Sequence, residues 1–588
     1  MFMQMPSPLI ILHDATQKAW LKFCDPHEIL WSTQPEEVID HLLYLEQKVA
    51  KEKLYAVGFL SYESAPAFDS AFSTPNQTDD FPLLWFGLFK EAQTINLSSC
   101  RASNFELSPW QPTVLDQQYA KAIQEIKAAI AQGDTYQVNY TIRLRARFTG
   151  DPFGYFRRLV AAQKAKYAAY LNLGDFVICS ASPELFFLYQ QGHLVCRPMK
   201  GTAKRGLTHE EDQNQADQLV RSVKNRAENV MIVDMIRNDL GRIAKVGSVN
   251  VTRLFEIEKY PTVWQMTSTI EAYTEANFAE IFKALFPCAS ITGAPKVSTM
   301  KIIAHLESSP RRIYTGSIGF LTPENRAQFN VAIRTVWIDR RMNIAEVGVG
   351  GGIVWDSTVE GEYHECLTKA QFLTHPAPDF ALLETIRWTR QEGYFLLPEH
   401  LERLQKSAAY FDYPCDLPKI KKALLEYAQS FIDSQKVRLT LKADGTFAIQ
   451  SQPLPDSRGL VQLVPAKAPL SSQNIYLYHK TTFREHYEKA KPEYLNRESD
   501  CEVLFWNEHG EVTESEIANI VVKIDGKLIT PPVSCGLLAG VFRQKLLEQQ
   551  IIHEEKILLS DLIKCQEIYL INSVRKWRQA KIHTFPHR

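Results

Sequence analysis

The chain has 588 residues, well beyond the roughly 250 to 300 residues that one hydrophobic core supports, so at least two domains are expected. Hydrophobic residues make up 45% and charged residues 23% of the sequence, values typical of globular proteins, which excludes wholesale disorder. The 66 basic and 67 acidic residues nearly cancel, and no long basic block occurs. Charge therefore gives no reason to expect a nucleic acid or an anionic membrane as partner, and we expect a small substrate.

Neither a secretory signal nor a membrane span is expected. No basic leader precedes the apolar stretch at 8–12, and no run approaches the ~18 apolar residues of a spanning helix. The ten cysteines form no CxxC pair and have no regular spacing, which argues against a disulfide framework and against a structural zinc site. We therefore expect a reduced, cytoplasmic protein.

Apolar periodicity and turn residues predict mixed strands and helices in the first half of the chain. In chain order the predicted elements are a helix at 36–53, strands at 55–62 and 83–89, a helix at 116–132, strands at 140–147 and 176–180, one long helix at 211–240, strands at 327–338 and 344–355, and a helix at 363–372.

The clearest domain boundary is the sequence THPAPD at 374–379, which has two prolines and no apolar periodicity. The predicted organisation is a first domain at 1–374, made of 1–110 and 111–374, a linker at 375–379 and a second domain at 380–588 that opens with a strand at 380–388. The second half has no parallel βαβ rhythm, so both domains are expected to be α+β.

Carboxylates are placed on two predicted helices of the first half. Glu362, Glu365 and Lys369 follow one another at i, i+3 and i+7 and so share a helix face, and Glu228 lies on a second helix. Facing carboxylates from two helices suit Mg²⁺, which prefers six oxygen ligands. The alternative is two solvated helix faces, because charge pairs at this spacing are common on surfaces.

A glycine run and an arginine point to an anion site. GVGGGI at 348–353 has too little side chain to build a core, and its backbone N–H groups can approach a carboxylate closely. Arg334 lies in an otherwise apolar strand, where an inward guanidinium is costly unless its planar fork pairs with a carboxylate. If Arg334 points outward, it is a solvated strand residue.

Six motifs occur in a fixed order: GDTYQVN (133–139), SASPELFF (180–187), RPMKGTAKRG (197–206), KNRAENVMIVDMIRNDLGR (224–242), PCASITGAPK (287–296) and GVGGGIVWDSTVEGEYHECLTKA (348–370). Through them the region 111–374 resembles the chorismate-utilising enzymes, whose fold, that of anthranilate synthase component I, has antiparallel sheets with helices. The resemblance implies a Mg²⁺ ion held by Glu228, Glu362 and Glu365. The substrate-binding residues that it implies are Gln137, Thr202, Tyr314, Arg334, Gly350, Gly351 and Lys369.

Two positions separate the chemistries of this family. Gln137 stands where water-using members carry a lysine, and Lys200 stands in PMKGT where anthranilate synthase and most relatives carry alanine. The resemblance therefore favours the aminodeoxychorismate synthase component I branch. It implies that Lys200 attacks C2 of chorismate and is displaced by ammonia at C4, with Glu184 as the general acid for the departing hydroxyl. The alternative for Lys200 is a cation that only binds a substrate carboxylate.

A second set of motifs lies after the boundary: LLPEHLERLQKSA (396–408), HKTTFREHYEKA (479–490), GEVTESEIANIVVKIDGKLITPP (510–532) and SCGLLAGVFRQKLLE (534–548). Residues 380–588 resemble the fold-type IV pyridoxal phosphate enzymes, with a D-amino-acid aminotransferase-like fold. The resemblance implies that Lys480 anchors the cofactor and that Glu514 faces its pyridinium nitrogen. It places the phosphate at Arg403 and at the backbone of Val541 and Phe542, at the start of a helix.

Two departures from that pattern stand out. Phe542 replaces a threonine whose hydroxyl contacts the phosphate in relatives, and the domain begins at the family's second strand, without the leading NG…DRG segment. Backbone donors would then have to hold the phosphate, and part of the site entrance has to come from the first domain or be omitted.

The combination of the two domains favours synthesis of 4-aminobenzoate from chorismate through aminodeoxychorismate. Two alternatives remain: an anthranilate-type synthase joined to a class IV aminotransferase, and a synthase joined to an inactive pyridoxal-type domain that serves for dimerisation or docking. The chain carries no GxCxG-like nucleophile elbow of a glutamine amidotransferase, so we expect a separate subunit to supply ammonia. A homodimer through the second domain stays open.

Overall fold

The computed structural model describes residues 8–76, 79–374, 378–454, 459–492 and 501–583. Two compact units are formed. The described residues up to 204 and from 216 to 374 make the first unit, and Arg205–Gln215 together with the described residues from 378 onward make the second. Residues 375–377 of the expected linker lie outside the described part of the chain.

The helices of the described residues are α1 (Pro35–Glu52), α2 (Asp116–Gln132), α3 (Pro152–Gln163), α4 (His209–Arg221), α5 (Val223–Gly241), α6 (Phe278–Leu285), α7 (Lys296–Leu306), α8 (Val359–Ala370), α9 (Leu397–Phe411), α10 (Leu417–Ala428), α11 (Glu485–Ala490) and α12 (Val541–Glu548).

The strands before the boundary are β1 (Leu9–Asp14), β2 (Ala19–Phe23), β3 (Glu28–Ser32), β4 (Tyr55–Leu60), β5 (Leu84–Phe89), β6 (Gln93–Ile95), β7 (Phe105–Leu107), β8 (Gln111–Pro112), β9 (Gln137–Gly150), β10 (Tyr167–Asn172), β11 (Phe176–Ser182), β12 (Leu185–Gln190), β13 (His193–Arg197), β14 (Met199–Lys204), β15 (Asn250–Lys259), β16 (Val263–Tyr273), β17 (Gly293–Ala294), β18 (Ser317–Leu321), β19 (Arg326–Val331), β20 (Thr335–Asp339) and β21 (Ile344–Ile353).

The strands after it are β22 (Leu382–Thr389), β23 (Gly393–Tyr394), β24 (Gln435–Leu441), β25 (Phe447–Pro453), β26 (Val461–Pro465), β27 (Cys501–Trp506), β28 (Val512–Ser515), β29 (Asn519–Ile524), β30 (Lys527–Thr530), β31 (His553–Glu554), β32 (Glu567–Asn572) and β33 (Lys576–Ile582).

Two antiparallel sheets form the frame of the first unit. Over the described residues, one has eleven strands, in the order β17-β9-β21-β20-β11-β10-β1-β2-β6 with β7 and β8 also on β9. The other has ten, in the order β14-β16-β13-β12-β19-β18-β4-β5-β3 with β15 also on β16.

The alternation of side chains along the strands explains how these sheets stack. Ile10 and Leu12 of β1 share an apolar cluster with Val57 and Phe59 of β4, which fills the space between the two sheets. Ile11, between them in sequence, joins the cluster under α2 and α3 on the opposite face. The second sheet is covered on its outer face by α1, α5 and α6. The first unit is therefore layered as helices, sheet, sheet and helices.

Two predicted elements are interrupted. The single helix expected at 211–240 is two helices, because Ser222 leaves the helical conformation and its Oγ accepts a hydrogen bond from the N–H of Asn225, which starts α5. The single strand expected at 327–338 is also wrong. It divides into β19 and β20, which belong to different sheets, and Arg334 between them has φ of +50°.

The second unit contains a small antiparallel sheet, β23-β22-β24-β25, and a larger sheet in the order β28-β27-β26-β33-β32-β29-β30-β31. Pairing of Glu514 with Asn519 joins β28 to β29 and closes six strands of the larger sheet into a barrel. Within the described residues, β26 is parallel to β27 and β33, and β30 is parallel to β31. In the described part of the chain, no helix has the length and apolar character needed to cross a bilayer.

Candidate active sites

A cavity of about 520 Å³ opens in the first unit between β14, α5, the glycine part of β21 and α8. It brings together most of the residues that the sequence selected in the first half: Glu184, Lys200, Thr202, Glu228, Tyr314, Arg334, Gly350, Gly351, Glu362, Glu365 and Lys369. Residues almost 190 positions apart in the sequence therefore share one site.

Lys200 is on β14 and reaches into this cavity. Its Nζ donates hydrogen bonds to the Oδ1 of Asn139 at 3.2 Å and to the carbonyl oxygen of Ser290 at 3.5 Å. Burial lowers the pKa of Lys200, and repulsion from Lys369 acts in the same direction while Glu228 opposes both. A larger fraction of this amine is therefore neutral than for an exposed lysine.

Glu184 lies directly before β12 and is 2% exposed. Its Oε1 accepts a hydrogen bond from the Ser290 hydroxyl at 2.7 Å and one from the backbone N–H of Met199 at 3.3 Å. Burial raises the pKa of Glu184 to about 7. This carboxyl can thus carry a proton near neutral pH, as a general acid must.

Arg334 is aimed into the cavity by the break between β19 and β20. Its left-handed backbone conformation is unusual for a residue with a side chain, and such strain is found where the surroundings hold a side chain for a purpose. Its guanidinium donates a hydrogen bond to Oε1 of Gln163 and lies 5.8 Å from the ring centroid of Tyr260. Burial lowers the pKa of Arg334 to about 10. Among the described residues no carboxylate forms an ion pair with it.

The glycine run forms the second half of β21. β20 pairs with β21 only as far as Val347, so beyond that residue β21 is bonded to β9 alone and its other edge faces the cavity. A Cβ atom on Gly351 would lie 2.9 Å from Oε2 of Glu362 and 3.7 Å from Oε1 of Glu365. Glycine at this position therefore lets the strand approach the carboxylates of α8.

The three predicted metal ligands line one cavity but are not closely grouped. Glu362 accepts a hydrogen bond from the Ser357 hydroxyl at 2.6 Å, and Glu365 forms an ion pair with Lys369 at 2.6 Å. Over the described residues, no three His, Cys, Asp or Glu side chains are placed to hold a metal ion together. The donors are nevertheless carboxylate oxygens on facing helices, which is the donor type that Mg²⁺ requires.

Gln137 is not among the residues that line the cavity, but its amide lies close to the Lys200 amine. The side chain is fully buried, and neither its Oε1 nor its Nε2 has a hydrogen-bond partner within the described structure. A Cβ atom on Gly352 would lie 2.0 Å from the Nε2 of Gln137 and 3.0 Å from the Nζ of Lys200. The lack of a side chain at Gly352, part of the glycine run, therefore leaves room for both this amide and the lysine amine.

Two further residues that sequence reasoning did not select hold the site together. Asn139 accepts from Lys200, and Ser290 contacts both Lys200 and Glu184. Both lie inside motifs that were recognised. Asn139 is the last residue of GDTYQVN, and Ser290 lies within PCASITGAPK. The signal was present, but only the fold shows that these two motifs meet. Thr202, by contrast, donates to Oε1 of Gln265 at 3.1 Å near the cavity rim.

The second unit contains a cavity of about 350 Å³ that all five residues selected in the second half line: Arg403, Lys480, Glu514, Val541 and Phe542. Burial lowers the pKa of Lys480 to about 8, and the charge of Arg403 adds to this effect. Its amine is therefore accessible in the neutral form at mildly alkaline pH.

Glu514 is 5% exposed and hydrogen-bonded on several sides. It accepts the hydroxyl of Tyr487 at 2.7 Å, the side-chain amide of Asn519 at 3.3 Å and the backbone N–H of Leu538 at 3.3 Å. Burial raises the pKa of Glu514 to about 7. Tyr487 and Asn519 also lie inside recognised motifs, and they fix the carboxyl group in one orientation.

Arg403 is fixed by a buried carboxylate. Its Nε and Nη2 pair with the two oxygens of Glu384 at 2.9 and 2.6 Å, and its Nη1 donates to the Ala539 carbonyl oxygen at 3.1 Å. Burial alone would raise the pKa of Glu384, but Arg403 and a hydrogen bond with His400 lower it to about 2. The guanidinium is thereby held next to the start of α12.

The start of α12 needs glycine before it, because a Cβ atom on Gly540 would lie 2.0 Å from Oδ1 of Asn519. Phe542 turns towards an apolar cluster, with its ring 5.8 Å from that of Phe395 and 6.5 Å from that of Trp577. A lysine, a buried carboxyl group, an arginine and free helix N–H groups around one cavity fit a pyridoxal phosphate molecule.

A group of cations lines the same cavity on the small sheet. Lys436 and Arg438 share one face of β24, opposite Arg387 and Thr385 of β22, and Arg575 follows from the turn before β33. Burial lowers the pKa of Lys436, as do the nearby charges of Arg575 and Arg438. Among the described residues, neither Lys436 nor Arg438 has an ion-pair partner. Such a surface attracts carboxylates.

Comparison with known proteins gives a separate family match for each half of the chain. A model of chorismate binding enzymes matches residues 7–375. The chain belongs to this family. A model of amino-transferase class IV matches residues 381–582. Both family resemblances noted in the sequence are therefore confirmed, as is the predicted α+β fold class.

Several relatives are similar over the first half. Aminodeoxychorismate synthase component 1 of Salmonella typhimurium is 41% identical over 271 residues, which cover 46% of this chain and 59% of the relative. Anthranilate synthase component 1 of Aquifex aeolicus is 37% identical over 267 residues, or 45% of this chain and 53% of the relative. The chain thus spans little more than half the length of these relatives.

Among solved structures, anthranilate synthase component I from Streptococcus pneumoniae matches with a TM-score of 0.51 and 25% identity. The match covers 62% of this chain and 90% of that one. The paired antiparallel sheets with outer helices are therefore the fold of that enzyme.

Proposed function

We propose that the chain makes 4-aminobenzoate, the folate precursor, in two steps at two sites. The first unit would convert chorismate and ammonia to 4-amino-4-deoxychorismate. The second would remove pyruvate from that product and leave the aromatic ring. The observation that carries the proposal is a lysine with a lowered pKa beside a carboxyl group with a raised one, Lys200 beside Glu184, in a cavity lined by cations and carboxylates.

At the first site Lys200 would act as a nucleophile. Its neutral amine forms a bond to C2 of chorismate, the two conjugated ring double bonds both shift towards C4, and the C4–O bond breaks. Glu184 gives its proton to the departing hydroxyl, which leaves as water. Ammonia then forms a bond to C4, both ring double bonds return to their original positions, and the C2–N bond to Lys200 breaks. This double displacement places nitrogen at C4, where the hydroxyl stood.

The substrate's two carboxylates would bind at opposite ends of the cavity. The free edge of β21 and Arg334 supply donors, and Lys369 already lies 3.0 Å from the Gly350 carbonyl oxygen. Glu228, Glu362 and Glu365 would hold a Mg²⁺ ion, which neutralises one carboxylate of the substrate. The raised pKa of Glu362, which burial causes and Glu365 reinforces, supports a need for a cation there.

At the second site, Lys480, Glu514, Arg403 and the start of α12 would hold pyridoxal phosphate, which when bound withdraws electrons from the atom next to the substrate nitrogen. Lys480 takes the C4 proton, the C3–O bond breaks, and the ring becomes aromatic. The released enol takes up a proton and becomes pyruvate. Lys436 and Arg438 would bind carboxylates of the substrate and so favour a dianion over an ordinary amino acid.

The alternatives are less well supported. An anthranilate-type synthase has no use for a lysine at position 200, where alanine is the family's usual residue. An inactive docking domain has no use for a buried carboxyl group with three hydrogen bonds facing a lysine. Because Phe542 packs in an apolar cluster and has no hydroxyl, the backbone N–H groups of α12 would serve as the phosphate donors.

Ammonia would come from a separate glutamine amidotransferase subunit. All ten cysteines of the chain are free thiols, which supports a reducing compartment such as the cytoplasm.

The test is mass spectrometry of the products formed from chorismate and ammonium, with and without pyridoxal phosphate. The proposal predicts 4-aminobenzoate and pyruvate only when pyridoxal phosphate is present, and accumulation of aminodeoxychorismate when it is absent. Anthranilate as the main product would contradict the proposal and support the first alternative. Aminodeoxychorismate as the final product under both conditions would support an inactive second domain.

A further inference from the structure

A short segment of the first half of the sequence belongs to the second unit. Arg205–Gln215 follows β14, the strand of Lys200, yet it packs with the residues after 378. Leu207 of this segment contacts an apolar cluster that includes Leu477 and Tyr478, the residues that lead to Lys480. The second unit is therefore not built from the C-terminal sequence alone.

A buried ion pair holds this segment in shape. The Nε and Nη2 atoms of Arg205 lie 2.6 and 2.8 Å from the two carboxylate oxygens of Asp212, and the two side chains are 6% and 0% exposed. The backbone N–H of Gly206 also donates to Asp212, at 3.0 Å. A Cβ atom on Gly206 would lie 2.2 Å from the backbone nitrogen of Asp212, so the turn requires glycine. Removing one partner of such a pair leaves a buried charge.

The same turn and Tyr410 of α9 each donate a hydrogen bond to the other. Arg205 Nη2 donates to the Tyr410 carbonyl oxygen at 2.9 Å, and the Tyr410 hydroxyl donates to the Gly206 carbonyl oxygen at 2.7 Å. The guanidinium of Arg205 also lies over the Tyr410 ring, 4.3 Å from its centroid. We call these three residues and Asp212 the clasp.

Tyr410 also contacts His479, the residue directly before Lys480. Its ring lies 4.3 Å from that of His479, and Phe411 packs on the same imidazole at 4.8 Å. The hydroxyl of Ser407 lies 3.0 Å from the Nδ1 of His479. Burial lowers the pKa of His479 to about 4, so the imidazole stays neutral. His479 is thus packed by two aromatic rings and contacted at one ring nitrogen.

One face of α9 links the clasp to the cofactor cavity. Arg403, Ser407 and Tyr410 are spaced at i, i+4 and i+7, so they lie along one side of the helix. Arg403 lines the cavity, the Ser407 hydroxyl contacts His479, and Tyr410 is part of the clasp. A shift of the clasp would therefore displace α9, and with it Arg403 in the cavity wall and the contacts that hold His479 next to Lys480.

We propose that Arg205, Gly206, Asp212 and Tyr410 are positioning residues of the second site, which set the orientation of the His479–Lys480 peptide. The inference rests on the proposed role of Lys480. It means that the second activity depends on a segment that follows the nucleophilic lysine of the first by only a few residues.

Two variants of the full chain test this. Arg205→Lys keeps the charge but loses the planar fork on Asp212 and Tyr410. Tyr410→Phe keeps the ion pair and both ring contacts and removes one hydrogen bond, so it should fold. The matched control is Lys406→Ala, which removes the half-exposed Lys406–Glu210 ion pair on the same helix and the same segment.

The first measurement is hydrogen exchange of the peptide 476–484 without added pyridoxal phosphate. We expect the exchange to be about tenfold faster in Arg205→Lys and to increase less in Tyr410→Phe. The reason is that a weakened clasp lets this peptide open locally more often. The control should exchange as the unmodified chain does. This measurement does not depend on catalysis.

The second measurement is the pH midpoint of the visible absorbance band of pyridoxal phosphate bound at Lys480. A displaced lysine should shift that midpoint by about half a unit or more, whereas a merely structural role would lower stability and leave it unchanged. Unchanged exchange and an unchanged midpoint in both variants would overturn the proposal. If the unmodified chain fails to bind pyridoxal phosphate at Lys480, the proposed function of the second site fails, and the exchange comparison still tests the clasp.

Discussion

The two cavities place a lysine and a buried carboxyl group together, but with different charges around them. Burial lowers the pKa of both Lys200 and Lys480, and burial raises the pKa of Glu184 and of Glu514 to about 7. Around Lys200 the neighbouring charges are mixed, with carboxylates on α5 and α8. Around Lys480 they are mainly cationic.

The difference in surrounding charge fits two different chemical roles for a buried lysine. A lysine that must attack and then leave a ring carbon needs to be neutral beside an acid that protonates the leaving group. A lysine that anchors a phosphorylated cofactor and handles one proton needs cations for the phosphate and for the substrate's carboxylates. The charges on the cavity wall, more than the lysine itself, therefore distinguish the two chemistries.

The largest expected effect is that of Lys200→Ala. Aminodeoxychorismate formation should fall by about 10³-fold or more, because alanine leaves no nucleophile for C2, and a weak route to anthranilate should open by direct attack of ammonia. Product analysis by liquid chromatography and mass spectrometry measures both. Lys301→Ala, an exposed lysine on α7, is the control and should keep the original rate. Unchanged 4-aminobenzoate turnover in Lys200→Ala would exclude the covalent role.

Glu184→Gln removes the acid while keeping its size. The rate of aminodeoxychorismate formation should fall by about 10²-fold, the usual contribution of a general acid. In the unmodified chain the protonated form exists below its pKa of about 7 and is lost as pH rises through that value, so the rate should decline there. This decline of the rate at alkaline pH should be missing in the variant. If both proteins show the decline at the same pH, a group other than Glu184 causes it.

Arg438→Gln tests the cations of the second site. Loss of one charge-assisted contact should raise KM for aminodeoxychorismate by roughly 10-fold with a smaller change in kcat. Thr440→Val, on the same strand and the same face, is the control for strand disturbance. Equal loss of kcat and an unchanged KM would show that Arg438 does not bind substrate.

An effect of similar size concerns the metal. Glu365→Gln should raise the Mg²⁺ concentration needed for half-maximal activity of the first site by about 10-fold, because one anionic ligand of a hard cation is lost. Lys480-dependent release of 4-aminobenzoate from supplied aminodeoxychorismate should not change. Full activity of the first site in excess chelator would contradict the metal assignment.

Local sequence signals predicted the elements that depend on local interactions. Regularly spaced isoleucines and a terminal glycine gave the helix at 116–132, which is α2 as observed. The motifs also located Lys200 and Lys480, because their neighbours are distinctive. The break at Ser222 was not predicted, although serine is a common residue at the start of a helix and caps α5 here.

Long-range contacts were not predictable in the same way. The sequence left open whether Arg334 points inward or into solvent, and it did not predict that the chain passes from one sheet to the other at this residue, because that depends on which strand lies next to β20. The contact of Arg205 with Tyr410 joins residues about 200 positions apart and leaves no periodic pattern. An arginine between a lysine and a glycine, as Arg205 is, resembles a surface charge until the fold is known.

The most direct test of two separate lysine chemistries is product analysis of Lys480→Ala supplied with chorismate, ammonium and Mg²⁺. The account predicts that chorismate is consumed at the original rate, that aminodeoxychorismate accumulates without 4-aminobenzoate, and that an added aminodeoxychorismate lyase restores the product. A correctly folded Lys480→Ala chain, by circular dichroism, that no longer consumes chorismate would contradict the division of the chemistry between the two sites.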